Sequence, residues 1–316
     1  MVYIAGETLF IYFLGTSGAL PTVTRNLPAI LLKWGSHDIL FDCGEGTQQQ
    51  MMRARTGFGV SEIFITHWHA DHYLGIIGLL QTLTFNGRLE PLTIFGPDAV
   101  YEIVEDIKRI CRTRFSFPVE AVRVRPGQQY DFKGFVIRIC GADHGIPAVG
   151  YCFIENQRPG RFNREEAIAL GVKPGPLFGK LQRGESVTVQ VHGGEEQIIM
   201  PQQVLGPQRS GRKVLYTGDT RLNIDNVLDS GVGVDLLIHD ATFDNEQEER
   251  AREFFHATAG DAGTCARELN ARMLALFHIS SRYTQTALHK RDAADEFSGD
   301  IIIPDDLDMT EIPFHD

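Results

Sequence analysis

The sequence predicts an α/β protein of two mixed sheets packed together with helices outside, and three observations lead there. Strand-length apolar runs bounded by Gly, Pro or Asp open the chain as a meander. Later runs of the same kind alternate with segments of helical length and spacing. With 316 residues and 43% apolar content, the chain is long enough to bury a sizeable core.

Taken in order, strands are expected over residues 9–14, 29–34, 38–41, 63–65 and 92–95. Between them, residues 46–55, 73–83 and 99–111 carry apolar side chains at helical spacing. Strands return over 135–139, 149–154, 213–217, 235–239 and 273–278, and helices over 258–270 and 284–296. The start of the chain lacks the basic stretch and cleavage site of a signal peptide, so it reads as a first strand. No apolar run reaches the roughly 18 residues that a membrane span requires. The expectation is one domain over 1–316 with a single interruption.

That interruption is 156–185. It shows no strand alternation, is punctuated by Gly160, Gly171, Gly175, Gly179 and Gly184, and carries Arg158, Arg161, Arg164, Lys173, Lys180 and Arg183 against Glu165, Glu166 and Glu185. Thirty residues without structure are unusual inside a compact domain, which favours a protruding basic arm with a short helix near 164–170. Composition alone fits a solvated surface insertion equally well.

Charge and cysteine usage narrow the setting. Cys43, Cys111, Cys140, Cys152 and Cys265 are widely spaced and odd in number, which predicts reduced thiols, a cytoplasmic location and no thiolate metal site. The net charge of -11 opposes nucleic-acid binding in general, so an RNA substrate has to meet local positive charge from metals or from the basic arm.

The sharpest motif is His67-Trp68-His69-Ala70-Asp71-His72, directly after a strand. A strand end followed by a tight loop lets His67 and His69 converge on one ion while Asp71 and His72 turn toward a second. Imidazoles and carboxylates without thiolate favour zinc, with manganese or iron as alternatives. Further donors stand at later strand ends: His144, Asp219 and His278. Each alone is more often an ordinary polar residue; with the first motif they form a ligand set.

In this order the motifs resemble the metallo-β-lactamase superfamily, an αββα sandwich of two mixed sheets with outer helices. Flanking residues resemble its ribonuclease Z family. They are Phe13-Leu14-Gly15-Thr16-Ser17-Gly18-Ala19-Leu20-Pro21 with Arg25-Asn26, Phe41-Asp42-Cys43-Gly44-Glu45-Gly46-Thr47-Gln48, and Leu170-Gly171-Val172-Lys173-Pro174-Gly175-Pro176. Three later matches are His239-Asp240-Ala241-Thr242-Phe243, His256-Ala257-Thr258 and His278-Ile279-Ser280-Ser281-Arg282-Tyr283. The resemblance implies two zinc ions per chain, one on His67, His69 and His144, the other on Asp71, His72 and His278, with Asp219 shared. It also implies a homodimer that removes the 3′ trailer from precursor tRNA, gripping it through the arm. Asp240 stands where the family has Glu, Ala257 where it has Ser, and Val23 or Thr24 where it has Lys.

On this reading Asp71 orients or deprotonates the attacking water, and His256, held by Asp240, protonates the leaving oxygen. Arg282 is a phosphate contact, and Lys173, Lys180, Gly175 and Pro176 are arm contacts to tRNA. His239 is either support for the site or a strand-end polar group. The remaining histidines, His37, His192, His289 and His315, are expected at the surface. A small-molecule phosphodiesterase on the same two-metal fold is the alternative, because the ligands alone do not separate the two.

Overall fold

A computed structural model describes residues 7–112, 114–190 and 196–315. It divides into two compact units, one of 8–154 with 213–313 and a smaller one of 155–212 with Glu7 and 314–315. The larger unit holds the two mixed sheets. From edge to edge the first runs Met309–Glu311, Leu9–Gly15, Ala29–Trp34, His37–Phe41, Glu62–Phe64, Leu92–Gly96 and Val119–Arg123. It is antiparallel as far as His37–Phe41 and parallel beyond. The second runs Asp300–Ile302, Met273–Phe277, Leu236–Asp240, Lys213–Tyr216, Val149–Glu155, Phe135–Gly141 and Gln129–Phe132. Its first four strands are parallel.

Inward-facing rings join the sheets. Phe41 stacks on Tyr151 with centroids 5.9 Å apart, Phe64 meets Tyr151 edge-on at 5.1 Å, and Phe13 meets Phe277 at 6.2 Å. All five are essentially buried, and each contributes on the order of 1.5–3 kcal/mol through apolar area removed from water. Outside the first sheet, helices Thr47–Ala54, Gly75–Phe85 and Val100–Cys111 bury Met51, Leu79, Leu83, Val104 and Ile107. Outside the second, Ala259–Glu268 and Ala287–Glu296 pack on one another.

Every expected strand and helix is present, with ends displaced by a few residues. Val119–Arg123, Gln129–Phe132, Asp300–Ile302 and Met309–Glu311 were not expected, because these strands lie at or beside a sheet edge and are half exposed, so they lack a continuous apolar run. One histidine is corrected: His289, expected at the surface, is buried in Ala287–Glu296 with its ring edge-on to Tyr283 at 4.5 Å. His37 is half buried between Trp34 and Phe135, His315 is exposed, and His192 lies outside the described residues.

The smaller unit is more than the arm drawn at 156–185. Helix Arg164–Ala169 is where the sequence placed it, capped by the Asn163 side chain on the Glu166 amide. A second helix, Pro176–Gln182, begins on proline after Gly175, whose φ of 150° suits glycine alone. The hairpin Val187–Gln190 with Glu196–Ile199 follows. Together they close a small core of Ala167, Val172, Leu181, Val187, Ile199 and Val204. Where this unit joins the chain, the buried Arg212 guanidinium grips Glu155 at 2.8 and 2.9 Å, with Phe314 stacked against it.

One half-buried carboxylate of the first sheet generates a pH expectation. Glu62 buries Oε2 without a hydrogen-bond partner, and burial pushes its pKa up to about 7 against the opposing pull of Arg88. Above the ordinary glutamate pKa of about 4.3 the unfolded chain releases this proton while the folded chain keeps it up to about 7. Stability therefore falls as pH climbs through that window. Glu62→Gln should melt above the parent at about pH 8 and lose that advantage by about pH 5; a difference independent of pH would place the effect elsewhere.

Candidate metal centre

The strand ends of both sheets converge on one cluster. His67 and His69 follow Glu62–Phe64, and Asp71 and His72 lie in the short helix Ala70–Tyr73. His144 follows Phe135–Gly141, Asp219 follows Lys213–Tyr216, and His278 follows Met273–Phe277. His67, His69 and His144 bring one ring nitrogen each into a common group. Asp71, His72 and His278 form another, and His67, His72 and Asp219 connect the two. Asp219 Oδ2 lies 3.3 Å from His278 Nε2, 3.4 Å from His72 Nε2 and 3.7 Å from His67 Nε2. All seven residues singled out from the sequence as ligands meet here.

Partners outside the cluster fix which nitrogen faces inward. His67 Nδ1 lies on the Thr66 hydroxyl at 3.0 Å, His72 Nδ1 on Asp42 at 2.8 Å, His144 Nδ1 on the Phe255 carbonyl at 2.9 Å, and His278 Nδ1 on the Thr242 hydroxyl at 2.8 Å. With Nδ1 protonated and occupied, each presents the Nε2 lone pair to the interior. His69 turns Nδ1 inward, 3.0 Å from His67 Nε2 and 3.1 Å from His144 Nε2. Asp219 buries Oδ1 without a hydrogen-bond partner. Converging lone pairs and an orphaned carboxylate oxygen are what divalent cations satisfy, so the residues fit a metal centre.

The electrostatics agree. Burial, helped by the neighbouring His72, holds His67 well below the usual imidazole range, and burial with His144 lowers His69. Burial alone would raise Asp219, but His278 and His72 hold it well below the carboxylate range. His72 is opposed by burial and raised by Asp219 and Asp42, a proton that a bound cation displaces.

Beside the ligands stands the second pair. His256 Nδ1 lies 2.8 Å from Asp240 Oδ2, so the side chain one methylene shorter than the family's glutamate reaches its histidine. Asp240 also accepts from the Thr220 amide at 3.1 Å and from the Thr242 amide and hydroxyl at 2.9 and 2.7 Å. Burial lowers His256, but the Asp240 carboxylate outweighs it and lifts the pKa to about 9. Its ring stacks 5.2 Å from His278 and lies 5.2 Å from His144.

Other residues are placed as follows. Arg282 is exposed, donates to Ser280 Oγ at 3.2 Å and lies 5.3 Å from the Phe243 ring. Lys173, Gly175, Pro176 and Lys180 are exposed on the smaller unit. His239 is buried with Nδ1 on the Asp240 carbonyl at 2.7 Å, outside the ligand groups. Arg25 donates to Thr16 and Asp305, and so acts as a brace.

Sequence reasoning assigned no role to Asp42, Thr66, Thr242 or the Ala19 amide, which donates to Asp71 Oδ2 at 3.0 Å. Asp42 and Thr242 lie inside quoted motifs and Thr66 adjoins one, so position was their signal. The Phe255 carbonyl had none, since any residue supplies that atom.

Comparison with known proteins places this geometry. A model of the beta-lactamase superfamily domain matches residues 187–279, and one of the anti-Pycsar protein Apyc1 matches 9–146. The chain is similar to the ribonuclease Z of Methanosarcina acetivorans, 45% identical over 97% of this chain and 99% of that one. The ribonuclease Z of Myxococcus xanthus is 43% identical over 96% and 98%. Among solved structures, the human tRNase Z short form superposes with a TM-score of 0.70 at 24% identity, covering 96% of this chain and all of that one, and so shares the fold. At this identity over almost the entire length, the chain belongs to the ribonuclease Z family of metallo-β-lactamase-fold enzymes.

Proposed function

We propose that this chain is a zinc-dependent endoribonuclease that removes the 3′ trailer from precursor tRNA, leaving a 3′ hydroxyl on the tRNA and a 5′ phosphate on the trailer. The observation that carries the reading is the convergence of seven histidine and aspartate side chains, Asp219 among them, with His256 and Asp240 beside them, in a ribonuclease Z family chain.

His67, His69 and His144 would hold one ion, Asp71, His72 and His278 the second, and Asp219 would belong to both. Two such ions supply positive charge and Lewis acidity at the attacked phosphate. Asp71, steadied by the Ala19 amide, orients the attacking water. His256 is protonated at neutral pH, with Nδ1 committed to Asp240, so the proton it gives to the departing 3′ oxygen is the one on Nε2. Arg282 binds a phosphate near the cut. Lys173, Lys180 and the backbone at Gly175 and Pro176 grip the tRNA backbone from the smaller unit. A cytoplasmic setting is supported by five buried cysteines outside any disulfide. Among the described residues no helix is long and apolar enough to cross a membrane. Homodimerisation belongs to the same proposal: RNA-binding cations on a small unit of an acidic chain suit a surface composed from two copies.

End-labelled precursor tRNA should be cut once at the trailer boundary with the stated termini, and metal analysis should return about two divalent ions per chain. Intact precursor after incubation with metal-loaded protein would sink the reading.

For the proton donor, His256→Ala should slow turnover by roughly 100-fold or more while metal content stays at the parental level. A near-parental rate would remove His256 from the chemistry.

Replacing residues 160–182 with a short Gly-Ser linker should raise the KM for precursor tRNA by an order of magnitude or more, roughly the loss of one or two kcal/mol of binding. Hydrolysis of a small chromogenic phosphodiester should continue. Unchanged cleavage of precursor tRNA would make this segment an ordinary surface insertion.

A further inference from the structure

Phe255 lies between two parts of the centre. Its neighbour in sequence is His256, and its carbonyl accepts the Nδ1 proton of His144 at 2.9 Å. That role uses only the backbone. The side chain is 36% exposed, and its ring carries the Arg221 guanidinium at 4.5 Å from its centroid. Arg221 is fixed in turn: Nε and Nη2 hold the Asp143 carboxylate at 3.2 and 3.0 Å, and its amide donates to the Asp143 carbonyl at 2.9 Å. Asp143 precedes His144 and Arg221 follows two residues after Asp219, so this brace joins two ligand-bearing loops at the rim of the centre.

The backbone at Phe255 is also unusual. Its φ of 59° puts a bulky aromatic in the left-handed region, where Gly or Asn is cheaper. Such positions persist where surrounding contacts enforce them, and they cluster where ligands are handled. Here the enforced conformation leaves a flat aromatic surface partly open to solvent beside His256. A polyanion brings phosphates, sugars and bases to this rim, and the component that matches an aromatic ring backed by a guanidinium is a base, through its π-face.

We propose that Phe255, backed by Arg221, is a stacking platform for the nucleobase on one side of the scissile phosphate. The proposal rests on the ribonuclease reading above. It makes Phe255 a substrate-positioning residue that acts through the ring, separately from its carbonyl.

The test is a cycle of enzyme and substrate changes. Phe255→Ala, Phe255→Tyr and Phe255→Trp are assayed on precursor tRNA carrying either its normal nucleotides or an abasic site immediately 5′ or 3′ of the cut. Phe255→Ala should raise KM roughly tenfold with kcat little changed, and Tyr or Trp should restore it. An abasic site at one of the two positions should cost the parent a similar factor and cost Phe255→Ala nothing further. Additive losses at both positions, or failure of Tyr and Trp to restore KM, would overturn the platform. Metal loss in Phe255→Ala would overturn it too, by showing the ring to be a wedge that seats His144. A parent that leaves precursor tRNA uncut would remove the ribonuclease reading as well; a parent that cuts, with additive losses, removes this inference alone.

Discussion

The buried carboxylate of Asp42 accepts from the Thr66 amide and hydroxyl, from His72 Nδ1 and from the Tyr216 hydroxyl, at 2.8 to 3.1 Å. These donors come from just after a strand of the first sheet, from the short helix Ala70–Tyr73 and from the second sheet. Left unpaired, a charge at this depth would cost several kcal/mol, so the fold around it holds only if all three contributors keep their places. Thr66 sets where the histidine loop leaves its strand, His72 is fixed in the tautomer that turns Nε2 inward, and Tyr216 sets the end of the strand that leads to Asp219. One anion thereby positions members of the candidate metal centre from both sheets.

The same device recurs around Asp240. Thr242 donates to Asp240 and accepts from His278, and Asp240 in turn holds His256. The loop that orients His278 therefore also orients His256. His67, His72 and His278 have their outer nitrogens on oxygens supplied just after a strand end, and His144 uses the Phe255 carbonyl just after helix Glu248–Glu253, which is how sites of fixed geometry are built from flexible side chains.

Much of this was legible in the sequence. The ligand motif and the later strand-end donors could be read because metal chemistry restricts residue type and spacing, and central strands because burial demands apolar runs. Edge strands such as Val119–Arg123 were not legible, since half-exposed segments carry a diluted pattern. The smaller unit was underestimated for a related reason. Its core is a handful of residues, Ala167, Val172 and Leu181 among them, spread over short helices and a hairpin whose individual runs fall below any periodic signal. His289 was misplaced because a polar residue in a helix reads as surface until the packing of Ala287–Glu296 on Ala259–Glu268 is known.

All five cysteines are buried and outside any disulfide, and burial pushes the thiols of Cys43 and Cys265 up to about 12. Because the thiolate is the species that alkylating reagents attack, these sulfurs are nearly inert while the protein stays folded. Lys173 and Lys180, by contrast, stand in solvent. A cysteine introduced at either would be the one fast-reacting thiol, so a spin label or fluorophore on the small unit needs no prior removal of the native sulfurs.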